Sequence, residues 1–346
     1  MKPKKIILSL TALLVIIAAI FAYQYYSVFY KPNVKSDGAI LKIYNDMDYN
    51  TVMEEVIGQS GSLNNFSRFA IAAKAMKLES SFKPGMYKLR KGMNNKAIVR
   101  TIANGWQTPT KLILPGHLNS SEKLASFLGN KLEADSAEFI AFLNNSDLKA
   151  SYGFNDFTFL GMFIPNTYEV YWTISPTDFL DRMKKEYDNF WNKERTEKAE
   201  NIGLTKDQVS TLASIVIEES KYVPEQPRIA GVYMNRLKKG MPLQADPTVK
   251  YAQNDPTLRR IFKSHLTVDS PYNTYKHTGL PPGPITISPI NALDAVLNYE
   301  HHNYLYFCAR DTFDGQHSFA TSYSQHLKNA RAYQKAFTER ERLKTN

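Results

Sequence analysis

The hydropathy pattern opens with an uncharged, almost wholly apolar run from Ile6 to Tyr23, preceded by Lys2, Lys4 and Lys5 and followed by Tyr25, Tyr26, Phe29 and Tyr30. A helix of that length crosses a bilayer, with the lysines kept on the cytoplasmic side and an aromatic belt on the far side. A removed signal peptide has a shorter apolar core and a small-x-small exit, a pattern that Ala19-Ile-Phe-Ala22 does not fit. The run therefore reads as a retained signal anchor. Everything after Lys31 is then expected outside the plasma (inner) membrane, with the N-terminus cytoplasmic.

Past a polar linker, Leu41 to Tyr44 has a strand pattern. Asp48 opens a helix with apolar positions Val52, Met53 and Val56, and a second apolar helix covers Phe66 to Leu78. A strand, a turn at Gly92 and a helix ending at Gly105 complete a β-α-α-β-α pattern, whose compact solution pairs the strands and lays the helices on one face. From Lys111 a second series begins: a strand, then helices in Ser120 to Leu132 and Ser136 to Leu143. The aromatic run Phe157 to Trp172, interrupted by Gly161 and Pro165, reads either as a wall of this second unit or as plain core. Pro176 opens one long amphipathic helix, Thr177 to Lys198, and a charged helix from Ser322 to Lys344 closes the chain. The class implied is α+β.

The helix after Thr205 carries the candidate chemistry. Thr205 and Gln208 form a capping box, and at 100° per residue Val209, Leu212, Ala213 and Val216 share one face. Glu218 points nearly opposite that face, into solvent. Glu219 falls at its margin, where partial burial raises a carboxyl pKa and keeps a proton available near neutral pH. Two readings are open: a general acid, or a helix-edge glutamate paired with Arg228 or Arg236. A further helix, Gln226 to Leu237, places Ile229, Val232 and Tyr233 on its apolar face. Then come Gln244-Ala-Asp-Pro-Thr-Val-Lys-Tyr251 and Tyr272-Asn-Thr-Tyr-Lys-His-Thr-Gly-Leu-Pro-Pro-Gly-Pro-Ile285, polar, aromatic and proline-rich loops suited to a sugar-binding cleft. Asp246 reads either as a helix N-cap or as a second carboxylate that orients sugar hydroxyls or stabilises positive charge.

Composition removes rival chemistries. The net charge is +10, but the basic residues are scattered and no nucleic-acid motif appears. The charge suits work beside anionic headgroups or an anionic wall polymer. Cys308 is the sole cysteine, which excludes an internal disulfide and a lipoprotein anchor; it sits in an apparent buried strand with no marked partner base. The seven histidines show no zinc-type spacing, and no Gly-x-Ser-x-Gly occurs, so neither a metal nor a cofactor is expected.

Four segments, Leu212-Ala-Ser-Ile-Val-Ile-Glu-Glu-Ser220, Val232-Tyr-Met-Asn-Arg-Leu237, Leu243-Gln-Ala-Asp-Pro-Thr-Val249 and Tyr272 to Ile285, together resemble the YceG-like family of endolytic murein transglycosylases, in order and in spacing. The resemblance covers essentially the whole chain. It implies a cytoplasmic tail (1–5), a transmembrane anchor (6–30), a linker (31–37), a LysM-like subdomain (38–107) and a catalytic domain (108–346) of mixed α/β structure. It also implies that Glu219 is the catalytic acid, since the family's usual Ile-Val-Glu-Lys-Glu-Thr places its second glutamate there. Ile217 stands where the first glutamate usually is, and Phe159-Leu-Gly161 where the family has Leu-Glu-Gly.

The reaction implied cleaves the bond between N-acetylmuramic acid and N-acetylglucosamine, with Glu219 as acid and then base, leaving a 1,6-anhydro end. Gln244, Asp246, Asn273 and Tyr275 are expected to position the glycan. Tyr251 and Tyr275 stack on sugar faces or fill core, and His317, in a His-x-Phe segment, contributes a hydrogen bond or is simply a packed histidine. Peptidoglycan glycan strands are the expected partner, with peptidoglycan synthases beside the membrane. A hydrolytic muramidase and a non-catalytic wall-binding scaffold are the alternatives.

Overall fold

The computed structural model describes residues 3–255, 258 and 260–345. The N-terminal run forms helix α1 (Pro3–Phe29), long and apolar enough to cross a membrane, with its side chains exposed from Lys5 to Tyr26. The chain is a mixed α+β structure in two compact units, residues 1–112, 131–134 and 169–175 forming one, which includes α1, and 113–130, 135–168 and 176–346 the other.

In the first unit β1 (Ala39–Ile43) pairs antiparallel with β2 (Gly85–Leu89), with Leu41 opposite Tyr87. Between them lie a single turn α2 (Tyr49–Thr51) capped by Asp48, a π-helix (Val52–Gly58) and α3 (Phe66–Ala75); α4 (Asn95–Ala103) follows β2. Strand alternation aims Leu41, Ile43, Tyr87 and Leu89 at one face, where Phe69, Ile98 and Ile102 cover them. The expected helix to Leu78 ends instead at Ala75, because Lys77 adopts a left-handed conformation and a 3₁₀ turn follows.

The chain crosses between units at β3 (Thr110–Ile113) and β4 (Thr167–Val170). In the second unit come α5 (Ser121–Gly129), α6 (Ser136–Leu143) and α7 (Ser146–Ser151), each opened by a capping side chain. The single helix expected over 177–198 is two, α8 (Pro176–Phe190) and α9 (Lys193–Asn201), because the Asn192 side chain accepts from the Arg195 amide and starts the helix anew. Phe159 packs on Phe154 and Phe163, and Phe163 on Phe179, which meets Phe139; with Met162 they are fully or nearly fully buried, so that stretch is core rather than cleft wall.

At the centre lies α10 (Lys206–Glu219), opened by the Thr205/Gln208 capping box and buried on every side from Val209 to Ile217. It packs against α11 (Gln226–Lys238), α12 (Asp246–Gln253) and α13 (Ile290–Leu297). The hairpin β5 (Tyr306–Ala309) with β6 (His317–Ala320) and the terminal helix α14 (Tyr323–Thr345) complete the unit.

Two devices fix the proline-rich loop, one to α10 and one to Phe157. The Ser214 hydroxyl donates to the Thr211 carbonyl and accepts from the Ile285 amide at 2.9 Å. Gly283 lies so close to Phe157 that a Cβ there would stand 2.0 Å from the Phe157 carbonyl oxygen, so only glycine fits. Ser214→Ala leaves the buried Ile285 amide without a partner and is expected to cost about 1–3 kcal/mol, read as a lowered urea midpoint at unchanged slope.

Candidate active site

Helix α10 emerges from the core only in its last turn. Glu218 faces solvent, where its carboxylate meets His117 Nδ1 at 3.0 Å and Lys221 Nζ at 3.1 Å. Partial burial pushes that carboxyl up, but the two basic partners together outweigh it and hold the group below its ordinary value.

Glu219, one residue on, is the last residue of the helix and is partly buried. Loss of solvent pushes its carboxyl up to about 7, the Tyr233 hydroxyl opposes this by donating to Oε1 at 2.7 Å, and the charge of Asp246 adds to the rise. A helix C-terminus also disfavours negative charge. The group is thus poised between its acid and base forms at neutral pH. Neither arginine proposed to pair with it does so: Arg228 binds Glu300 at 2.9 Å, and Arg236 donates to the Leu305 and Leu243 carbonyls at 2.7 Å each.

Glu219 opens on a cavity of about 340 Å³ that is also lined by Tyr233, Gln244, Asp246, Tyr275 and His317. Asp246 is the first residue of α12 rather than its cap, a place taken by Ala245. Its Oδ1 accepts from the Tyr275 hydroxyl at 2.6 Å, so the carboxylate and the ring are set by one contact.

Gln244 holds a left-handed backbone, φ 51°, unusual for a residue with a side chain. Hydrogen bonds on either side impose it: its amide donates to the Thr274 carbonyl at 3.0 Å, and the Ala245 amide donates to Thr274 Oγ1 at 3.0 Å.

Two residues expected to position a ligand lie outside this lining. Asn273 is fully buried, its Nδ2 donating to the Leu266 and Val268 carbonyls and its Oδ1 accepting from the Tyr275 amide. With the amide spent on the loop, Asn273 acts on the cavity only by setting Tyr275. Tyr251 packs its ring on Tyr272, centroids 4.7 Å apart. Cys308, expected in a buried strand, is on β5 but only partly buried and contributes to the cavity wall, and burial pushes its thiol up, away from reactivity.

Comparison with known proteins shows the family. The YceG-like family profile matches residues 41–332, most of the chain. The chain belongs to the YceG-like family. It is 30% identical over 284 residues to an endolytic murein transglycosylase of Bacillus subtilis (strain 168), covering 73% of this chain and 74% of that protein. A Streptococcus pneumoniae (serotype 2, strain D39 / NCTC 7466) protein of the same description is 32% identical over 174 residues, 49% of this chain and 31% of its own length. The crystal structure of a YceG-like protein from Listeria monocytogenes superposes with a TM-score of 0.56 at 28% identity, covering 84% of this chain and 97% of that one.

In this YceG-like chain the partner that tunes Glu219 is Tyr233, which the periodicity places on an apolar face of α11. A signal for it exists: a buried tyrosine hydroxyl requires a hydrogen-bond partner, and the only acidic residue at the margin of the neighbouring helix is Glu219. Glu225, the buried carboxylate against which His317 rests, has no such signal, being the single glutamate of a short turn between two helices.

Tyr233→Phe removes the hydrogen bond that favours the ionised form. The Glu219 titration is therefore expected to move to higher pH, measured as the carboxyl ¹³C shift of labelled glutamate against pH; a move downward contradicts the assignment.

Proposed function

We propose that the protein is a membrane-anchored endolytic lytic transglycosylase that cleaves the N-acetylmuramic acid β-1,4 N-acetylglucosamine bond of peptidoglycan and leaves 1,6-anhydro-muramoyl ends. One observation carries this reading: a partly buried glutamate, neutral up to about pH 7, opens on a polar and aromatic cavity in a chain of the YceG-like family. The names of the relatives support the substrate, and α1 supports the anchoring. Residues 1–5 then lie in the cytoplasm, 6–30 span the bilayer, and the rest works on the outer side, terminating nascent strands close to the synthases that make them. In this reading residues 38–107 form a LysM-like subdomain that holds neighbouring glycan, and 108–346 form the catalytic domain.

The chemistry follows from Glu219. With the Tyr233 hydroxyl donating to Oε1, the acid proton rests on Oε2, and passes from there to the bridging oxygen as the bond to the anomeric carbon breaks. The 2-acetamido group and the C6 hydroxyl belong to the sugar itself, so ring closure consumes no water and needs no protein nucleophile. The closing hydroxyl releases one proton, which restores the acid form of Glu219. This is why a single acidic group suffices here, whereas two-carboxylate glycosidases need a nucleophile or a base for water. Gln244, Asp246, Tyr275 and His317 line the cavity and position the strand, with Asp246 held by Tyr275 as an acceptor for sugar hydroxyls.

Glu219→Gln keeps the shape and removes the proton. Release of anhydro-muramoyl products from purified glycan strands is expected to fall by about 10²–10⁴-fold, as for loss of a general acid. Mass spectrometry separates the rival outcomes. Reducing ends, one water heavier, from the wild type would mark a hydrolytic muramidase, and an unchanged digest in the variant would mark a scaffold.

The wild-type rate should also decline as pH rises through about 7, where Glu219 loses the proton it must donate. A rate that climbs across that interval sinks the acid assignment.

A further inference from the structure

Glu225 ends the 3₁₀ turn Val223–Glu225 ahead of α11 and is only 3% exposed. Burying a carboxylate is costly unless it is matched, and among the described residues its one salt-bridge partner is His317. The match is twofold: Oε1 accepts from the His317 backbone amide at 3.1 Å, and Oε2 lies 3.0 Å from Nδ1. The Phe307 ring meets the imidazole edge-on, centroids 5.4 Å apart at 89°, and fixes its plane.

A carboxylate oxygen only accepts, so Nδ1 carries the hydrogen and the neutral ring keeps its lone pair on Nε2. Among the described residues no side chain or carbonyl bonds that nitrogen. His317 lines the 340 Å³ cavity together with Glu219, and the same two residues line an adjoining hollow of about 690 Å³. His317 and Glu219 thus both belong to the lining of each of the two spaces.

We propose that the Glu225–His317 pair is the immediate base for ring closure, an inference that rests on the transglycosylase reading above. Glu219 gives its proton to the bridging oxygen and the C1–O bond breaks. The C6 oxygen bonds to C1 while its proton passes to His317 Nε2. The imidazolium, its Nδ1–H still held by Glu225, then returns a proton to the Glu219 carboxylate, directly or through solvent. Atoms and charge balance, and no further reactant is used. While the departing sugar's new hydroxyl remains hydrogen-bonded to Glu219, a second acceptor lets closure begin before that sugar leaves. His317 is a catalytic residue in this scheme. Glu225 is a positioning residue, setting the tautomer as the aspartate of a serine-protease triad does for its histidine.

The test uses the full chain in detergent acting on uncrosslinked glycan strands, with anhydro and reducing ends counted by mass spectrometry for wild type, His317→Gln and Glu225→Gln. Without the base, water competes with the C6 hydroxyl at the activated carbon. Turnover is expected to fall by about 10²–10⁴-fold, with the ratio of reducing to anhydro ends rising about tenfold or more in both variants.

A packing or merely binding role would lower turnover at constant ratio, and that result overturns the proposal; so does unchanged turnover. Thermal melts establish that the variants fold. Should they not, the ¹⁵N shifts of His317 in the wild type decide: hydrogen on Nδ1 supports the assignment, hydrogen on Nε2 alone refutes it. A wild type yielding only reducing ends removes the transglycosylase reading itself, an outcome distinct from an unmoved ratio in the variants.

Discussion

The structure of the second unit depends on one uneasy placement, a carboxyl group at the end of a helix that is otherwise buried on all sides. An ionised Glu219 there lacks solvent, faces the negative end of its own helix and shares a cavity with Asp246. A single hydroxyl, that of Tyr233, offsets part of this. The helix could not hold such a terminus if it were itself loosely packed. Its capping box, its contacts with α11, α12 and α13 and the Ser214 link to Ile285 make the end of α10 a fixed point from which the surrounding loops are hung.

Four carboxylates near one another show how surroundings divide the same functional group into different tasks. Glu218 is solvated and paired with bases, so it stays charged. Glu219 is desolvated and accepts from a phenol, so its carboxyl is pushed up to about 7. Asp246 is held by a phenol at the cavity surface and acts as an acceptor. Glu225 is buried most deeply and, among the described residues, is matched by one histidine, through its ring and its backbone amide. Adjacent positions in sequence, 218 and 219, are shifted in opposite directions because a helix turns them apart by about 100°.

That rotation is why Glu219 could be read from the chain: its environment is set by neighbours three and four residues away. The Thr205–Gln208 capping box and the paired strands of the first unit were legible for the same reason, being local patterns; the Asp135–Glu138 box was not read. What escaped was set by contacts distant in sequence. Tyr233 looks like any apolar helix position until the hydroxyl's partner is known. Asn273 and Gln244 look alike as polar loop residues, yet one is consumed inside its loop and the other lines the cavity. The break between α8 and α9 is hidden in the sequence because Asn192 to Lys198 is a charged stretch with no glycine or proline to mark a stop, and the Asn192 cap is a single residue.

Gln244 carries a consequence of its own. A left-handed backbone with a side chain attached costs on the order of 1 kcal/mol or more, and glycine would relieve it. Glycine would also leave a gap in the wall that Gln244 supplies. Stability and the integrity of the cavity wall therefore pull in opposite directions at this one position. Selection for thermal robustness alone would erode the cleft here first, and a tolerated glycine at 244 would identify a lineage in which the wall is no longer used.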